Sequence, residues 1–295
     1  MDKNNMNNKS DVNIQKCNEC NIIDENDLVY VTNLGEYVKI THMVRPPVES
    51  CIKKLNKYEY IDIRTGEIKK YNQSNITSLK DVKRKIRRYE NIVMNNFSGG
   101  MNEIFIVLTH RDNVTDIQVA KNNYNKFIKT LNKNYKDLEY IGQFEQTSKW
   151  CWHINLFVKS TTQSQLNIPQ ADLLNYWNGG IGYSNVGGVY VMQNMNTRQT
   201  LGHSKENRDD KLERLTHFPK GEKYYHKSKG IKVPKQEKML YKDCTAVNSS
   251  DYEIISSKTY EIRNPETDNF INSITTEIYQ KNNNFSSTNN KNNNF

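Results

Sequence analysis

Between residues 103 and 178 the spacing of apolar side chains changes character three times, and few folds accept that order. "EIFIVLT" is a short run rich in β-branched residues, and "TDIQVAKNNYNKFIKTLNKNY" then places Ile117, Ala120, Tyr124, Phe127, Ile128, Leu131 and Tyr135 on one helical face. "LEYIGQFE" and "WHINLFV" return to strand-like runs, and "QADLLNYWN" reads as a second helix. A glycine-rich stretch, "GGIGYSNVGGVYVMQNM", and a short strand in "EKYYHKS" complete the series. Strands and helices that intermix in this way predict an α+β domain over residues 101–235, a central antiparallel sheet with flanking helices.

The flanks read differently. Residues 28–100 form an expected accessory region: "YEYIDIRTGEIKKY" alternates on either side of Thr65-Gly66, a hairpin signal, and a basic helix comes after it. In that helix Leu79, Val82, Ile86, Tyr89 and Val93 share a face, while Lys80, Lys83, Arg84, Arg87 and Arg88 lie opposite. Gly99-Gly100 separates the helix from the strand-like run that begins at residue 103. Residues 1–27 and the end of a C-terminal extension, 236–295, are asparagine-rich and expected to be disordered, because such tracts bury too little apolar surface to offset chain entropy.

Composition narrows the function classes. The 295-residue chain carries 42 Lys and Arg against 33 Asp and Glu, a net charge of +9 that favours a polyanionic partner. Mean hydropathy is −0.88, and no apolar run approaches the ~18 residues of a membrane span. The N-terminus lacks the pattern of a signal peptide, so a soluble, cytoplasmic chain with no membrane partner is expected. Five cysteines, an odd number, suit reduced thiols. Cys17 and Cys20 form half of a zinc site with no second pair at finger-like spacing.

"FEQTSKWCWHINLF" holds the most specific chemistry. Alternation puts His153, Asn155 and Phe157 on one face of a strand, and a hairpin with the preceding strand would bring Glu145 to the same surface. A nitrogen, an amide oxygen and a carboxylate suit Mg²⁺ or Mn²⁺ better than zinc. A structural histidine on a buried strand is the alternative at this point.

The spacing Glu-x7-His-x-Asn resembles the metal motif of HUH endonucleases, in which a second histidine stands where this chain has Asn155. Further segments are similar, in order and spacing, to the rolling-circle replication-associated proteins of Gram-positive plasmids and integrative elements: "YIDIRTGEIKKYN", "IFIVLTHRDNVTD", "IPQADLLNYWNGG", "NVGGVYVMQNM" and "RLTHFPKGEKYYHKSKGIKVP". The resemblance spans residues 58–234. It implies a ferredoxin- or RRM-like palm and an initiator of rolling-circle replication. Such an enzyme nicks and rejoins single-stranded origin DNA through a 5′-phosphotyrosine, and its partners are origin DNA and a host replication helicase.

On this resemblance Glu145, His153 and Asn155 would hold the metal and Tyr190, on the family's tyrosine-bearing helix, would attack. A phenol with a pKa near 10 is a weak nucleophile at neutral pH, so a divalent cation is needed to polarise the phosphate. Gln193 and Asn194 stand where relatives carry a lysine and a second tyrosine. Lys83, Arg84, Arg87 and Arg88 on the basic helix, and Tyr224, Tyr225, Lys227 and Lys229 in "KYYHKSK", are the expected DNA contacts, since lysines meet phosphates and aromatic faces stack on unpaired bases. His110 sits where relatives have an aromatic residue, either near the metal or at a strand end. Because positions 155, 193 and 194 all depart from the pattern, a nuclease-impaired relative that binds origin or single-stranded DNA without cleaving it is the alternative function.

Overall fold

The segments whose periodicity is clearest between residues 103 and 160 become the core of one compact unit. The structure is a computed structural model that describes residues 13–17, 22–46, 51–56, 58–71, 78–110, 113–178, 189–193, 197–202, 208–219 and 221–282. In chain order it begins with strands β1 (Asn13–Cys17), β2 (Leu28–Leu34) and β3 (Tyr37–Met43). A small meander comes next, β4 (Ile52–Lys54), β5 (Glu59–Asp62) and β6 (Ile68–Lys70), then helix α1 (Leu79–Asn96). Beyond it lie β7 (Glu103–Thr109), α2 (Ile117–Asn134), β8 (Leu138–Gln146), β9 (Trp152–Ser160), α3 (Gln170–Asn178) and β10 (Val189–Gln193). Helices α4 (Thr197–Gly202) and α5 (Arg208–Thr216) lead to β11 (Tyr225–Lys227), and the chain closes through β12 (Gln236–Leu240), α6 (Thr245–Asn248), β13 (Tyr252–Arg263) and β14 (Phe270–Lys281). The protein is of the mixed α+β class with antiparallel sheets.

Residues 49–234 form one compact unit. Its five-stranded sheet runs β10-β7-β9-β8-β11, every pair antiparallel. The segment β7-α2-β8-β9-α3-β10 is therefore a β-α-β-β-α-β unit whose fourth strand lies beside its first and whose third lies between the first and second. Helix α2 packs its apolar stripe on one face, where Ala120, Phe127 and Leu131 are fully buried. Gly142 lets it come close: a Cβ there would stand 2.8 Å from the Tyr124 ring and hydroxyl. Trp177 of α3 packs against Phe127 at 5.9 Å and donates Nε1–H to the Thr109 carbonyl.

The opposite face receives α1. Ser78 caps that helix, its Oγ accepting from Asp81 N at 3.1 Å. The side chains it buries are Val82, Tyr89, Ile92 and Val93, whereas Leu79 is 52% exposed, so the apolar stripe starts one turn later than the spacing suggests. Phe97, just beyond α1, meets Phe157 at 5.4 Å, and Tyr89 meets Tyr225 at 5.7 Å. Each such ring contributes about 1.5–3 kcal/mol by leaving water. The break expected at residue 100 is thus bridged by packing, because α1 shares one hydrophobic core with β7, β8 and β9.

A second compact unit joins residues 1–48 to 235–295. Its six-stranded sheet runs β1-β13-β14-β3-β2-β12, so the C-terminal extension supplies half of the strands. β1 pairs with β13 from Asn13↔Arg263 to Cys17↔Thr259, which places a strand inside the stretch expected to be disordered. Residues 1–12 and the asparagine-rich tail from 283 lie outside the described residues, as does Cys20 of the cysteine pair. The expected hairpin about Thr65-Gly66 forms between β5 and β6, with Gly66 at φ 72° in the left-handed region that glycine adopts without a Cβ penalty.

Candidate metal and nucleic-acid site

Register decides which side chains share a surface. In the β8–β9 hairpin Glu145 stands opposite His153 and Gln143 opposite Asn155. Across the other edge of β9, Thr109 faces His153 and Val107 faces Asn155, and on β10 Tyr190 faces Val107. Directly opposed residues in a sheet point to the same side. Glu145, His153, Asn155 and Tyr190 therefore lie on one face, the face not covered by α2 and α3. Tyr190 is two strand spacings from Asn155, about 10 Å.

The polar centre of this face is compact. Asn155 Nδ2 donates to Glu145 Oε2 at 2.7 Å, and His153 Nε2 lies 3.6 Å from the same oxygen. Glu145 is only 5% exposed, whereas the His153 side chain is 19% exposed and borders solvent. His153 Nδ1 is buried and has no hydrogen-bond partner among the described residues. Gln143 donates Nε2–H to the Tyr224 hydroxyl beneath. Buried phenols surround the carboxylate. Burial first, and for both rings the Glu145 charge as well, pushes the Tyr89 and Tyr224 hydroxyls well above the ordinary tyrosine value. Neither can supply a phenolate, while Tyr190 is 56% exposed.

A divalent cation held by two cis ligands at ~2.1 Å each separates them by ~3 Å, close to the His153–Glu145 spacing. Glu145 and His153 thus fit Mg²⁺ or Mn²⁺, and turning the Asn155 amide about its terminal bond would present Oδ1 as a third donor. Among the described residues no three His, Cys, Asp or Glu side chains cluster, and the Asn155 amide, bonded to Glu145, is the candidate third donor. His110 is not one of this group: its Nδ1 lies 2.9 Å from the Trp152 carbonyl and its ring packs against Trp177, with burial lowering its pKa.

No protein-family model matches the chain, no curated protein is found to resemble it, and no solved structure matches it. What the site does must be read from its own geometry.

Two sequence expectations are corrected. Tyr190 lies in strand β10 and not on a helix, because Val189 is buried on the side facing the core and the five residues pair in register with Ile104–Leu108. Gln193 ends that strand, and Asn194 lies outside the described residues. Tyr224 is buried and hydrogen-bonded within the sheet, so its ring offers no stacking surface; Tyr225 is half-buried against Tyr89. Lys227 donates Nζ–H to the Ile231 carbonyl at 2.7 Å and so braces its own loop, while Lys229 is exposed. Lys83, Arg84, Arg87 and Arg88 are all exposed on α1, with Arg84 bonded to Asp81 at 2.7 Å. Arg84, Arg87 and Arg88 line a cleft with Asn91, Val233 and Pro234.

Sequence reasoning missed Arg214, Trp150 and His217. Arg214 is buried on α5 and donates Nε–H to the Gln146 carbonyl at 3.2 Å, tying that helix to the end of β8. Among the described residues no helix is long and apolar enough to cross a membrane.

Proposed function

We propose that this chain is a metal-dependent single-strand DNA endonuclease and strand transferase of the HUH type, acting as an initiator of rolling-circle replication. The observation that carries the reading is the convergence of Glu145, His153 and Asn155 on one sheet face that also presents the exposed Tyr190. The β-α-β-β-α-β order and its strand arrangement are those of a ferredoxin-like palm, which supports the finer fold expected from the sequence.

In this mechanism Glu145, His153 and Asn155 would hold Mg²⁺ or Mn²⁺, whose charge would polarise a phosphate oxygen and stabilise the negative charge developing there. Tyr190 attacks through its hydroxyl oxygen: the tyrosyl O–P bond forms, the O3′–P bond breaks, and the phenol proton leaves to solvent. The leaving O3′ takes up a proton from solvent and primes synthesis. A 3′-OH released by a later cut at the regenerated origin attacks the phosphotyrosine, so that a new O3′–P bond forms, the tyrosyl O–P bond breaks and Tyr190 regains its proton. The α1 cations, Lys83, Arg84, Arg87 and Arg88, neutralise phosphates along the strand. Origin DNA and a host replication helicase are the partners this activity calls for.

A second reading, DNA binding without cleavage, is favoured by one contact: Asn155 donates to Glu145, so the amide occupies the carboxylate instead of adding an oxygen beside it. Incubation with Mn²⁺ and single-stranded origin oligonucleotides separates the two. A covalent protein–DNA adduct on a denaturing gel, lost in Tyr190→Phe, is expected. Salt-sensitive binding with no adduct would leave the second reading in place of the first.

A further inference from the structure

The turn that joins β8 to β9 starts one residue pair beyond Glu145↔His153, and its most exposed apolar side chain is a tryptophan. Trp150 is 45% exposed, and its ring meets that of His217 edge-on at 5.7 Å, both at the surface. The tip is not a loose loop. Thr147 N bonds the Cys151 carbonyl at 2.9 Å, Trp150 N bonds the Thr147 carbonyl at 2.9 Å, and Cys151 N reaches Thr147 Oγ1 at 3.3 Å. Arg214 anchors the helix that precedes His217 to the same hairpin through Gln146. Trp150 has φ 62°, a left-handed conformation in which a bulky side chain is strained and glycine is not. A large ring held in an unfavourable backbone state, half in water, and set by a rigid turn, is a poor choice for stability and a good one for contact with a ligand. Lys149 beside it is exposed and adds a positive charge.

We infer that Trp150, with His217 behind it, is a stacking platform for an unpaired nucleobase of single-stranded DNA, the base next to the phosphate held at Glu145 and His153. The indole lies two to three residues past the His153 row, about 7–10 Å along the strand direction, a span suited to a neighbouring nucleotide. An aromatic face accepts any base, and the adjacent Lys149 meets the backbone phosphate. This rests on the strand-cleavage reading for which phosphate is held, while the docking of a base can be measured separately.

The chain contains its own probe. Of three tryptophans, Trp152 and Trp177 are buried, so a base can stack only on Trp150. The full chain is titrated, without added metal, with an oligothymidylate of about 12 nucleotides, a length within common single-strand site sizes. Tryptophan emission should be quenched in the wild type and unmoved in Trp150→Phe, which keeps affinity within a few-fold. Trp150→Ala should weaken binding roughly ten- to a hundred-fold. Trp150→Gly relieves the left-handed strain, so it should melt no lower than wild type yet bind as weakly as Trp150→Ala, which separates loss of the ring from loss of folding. Salt-sensitive binding with no quench, or a Trp150→Ala protein that binds as tightly as wild type, would overturn the platform. A covalent adduct formed equally well by Trp150→Ala would leave the cleavage reading standing while the platform fails. Quenching without any adduct would do the reverse, and absence of salt-sensitive binding would sink both.

Discussion

At position 155 an amide lies within bonding distance of a carboxylate and next to an imidazole on the same strand face, and its orientation sets how many donors a cation would find. With Nδ2 turned toward Glu145 the carboxylate has an internal partner; with Oδ1 turned inward the set becomes nitrogen, amide oxygen and carboxylate. Asn155→His replaces a weak neutral donor with an imidazole, so Mn²⁺ affinity measured by calorimetry should rise, by about 10-fold or more if the site is a metal site. An unchanged affinity would remove Asn155 from the ligand set. A second residue-scale outcome concerns acid. His226 packs against Tyr124 and Phe144, its Nε2 is buried without a partner among the described residues, and burial, then the nearby Lys121 and Lys223 charges, lowers its pKa from 6.5. The unfolded chain therefore takes up a proton near pH 6.5 while the folded chain stays neutral, so the stability associated with this group is full above that pH and declines as pH falls toward the lowered folded value. In His226→Phe the fall in melting temperature between about pH 7 and pH 5 should be shallower than in wild type; an identical slope would mean that His226 does not contribute to it.

At the scale of elements, the contact between α2 and β8 leaves no room at Gly142. Gly142→Ala sets a methyl 2.8 Å from Tyr124 and should lower stability by about 1–3 kcal/mol, read as a drop in denaturation midpoint, with Tyr124→Phe relieving only the part due to the hydroxyl. On α1 the exposed Arg87 and Arg88 form no ion pair with any of the described residues. Replacing both with Ala should flatten the slope of log affinity for single strands against log salt by about 0.7 for each phosphate that is no longer neutralised; an unchanged slope would make this a merely solvated face. These same elements show how far the chain alone can be read. The α2 stripe and the hairpin carrying Glu145 and His153 are legible because periodicity fixes which side chains share a face, and a hairpin needs no distant partner. The segment "VYVMQ" also alternates, with Val189 and Val191 toward the core and Tyr190 and Met192 on the other face, yet the family resemblance implies a helix there and masks the local signal. The Trp150 platform is not legible, because a left-handed turn residue and a ring brought from beyond α5 are set by tertiary placement.

At the scale of the whole molecule the pairing of the two chain ends is the least legible feature, since alternation marks a strand but says nothing about its neighbour. β3 lies between β2 and β14, and β2 is bordered on its other side by β12, so the β2–β3 hairpin is enclosed by strands that begin after residue 235. A chain ending at Pro234 should therefore lose protection of residues 28–43 in limited proteolysis while residues 103–160 stay protected; equal protection of both would show that β2 and β3 hold without their C-terminal partners. The same arrangement sets a timetable. During synthesis at ~5–20 residues per second, the roughly 190 residues between Met43 and Gln236 take about 10–40 s to emerge. Throughout that interval β2 and β3 have open edges, whereas the strands and helices of residues 49–234 come out in an order that lets each find its neighbours. The β2–β3 hairpin is completed only after the five-stranded sheet, and an interrupted ribosome would release a chain whose five-stranded sheet is formed while β2 and β3 still seek partners.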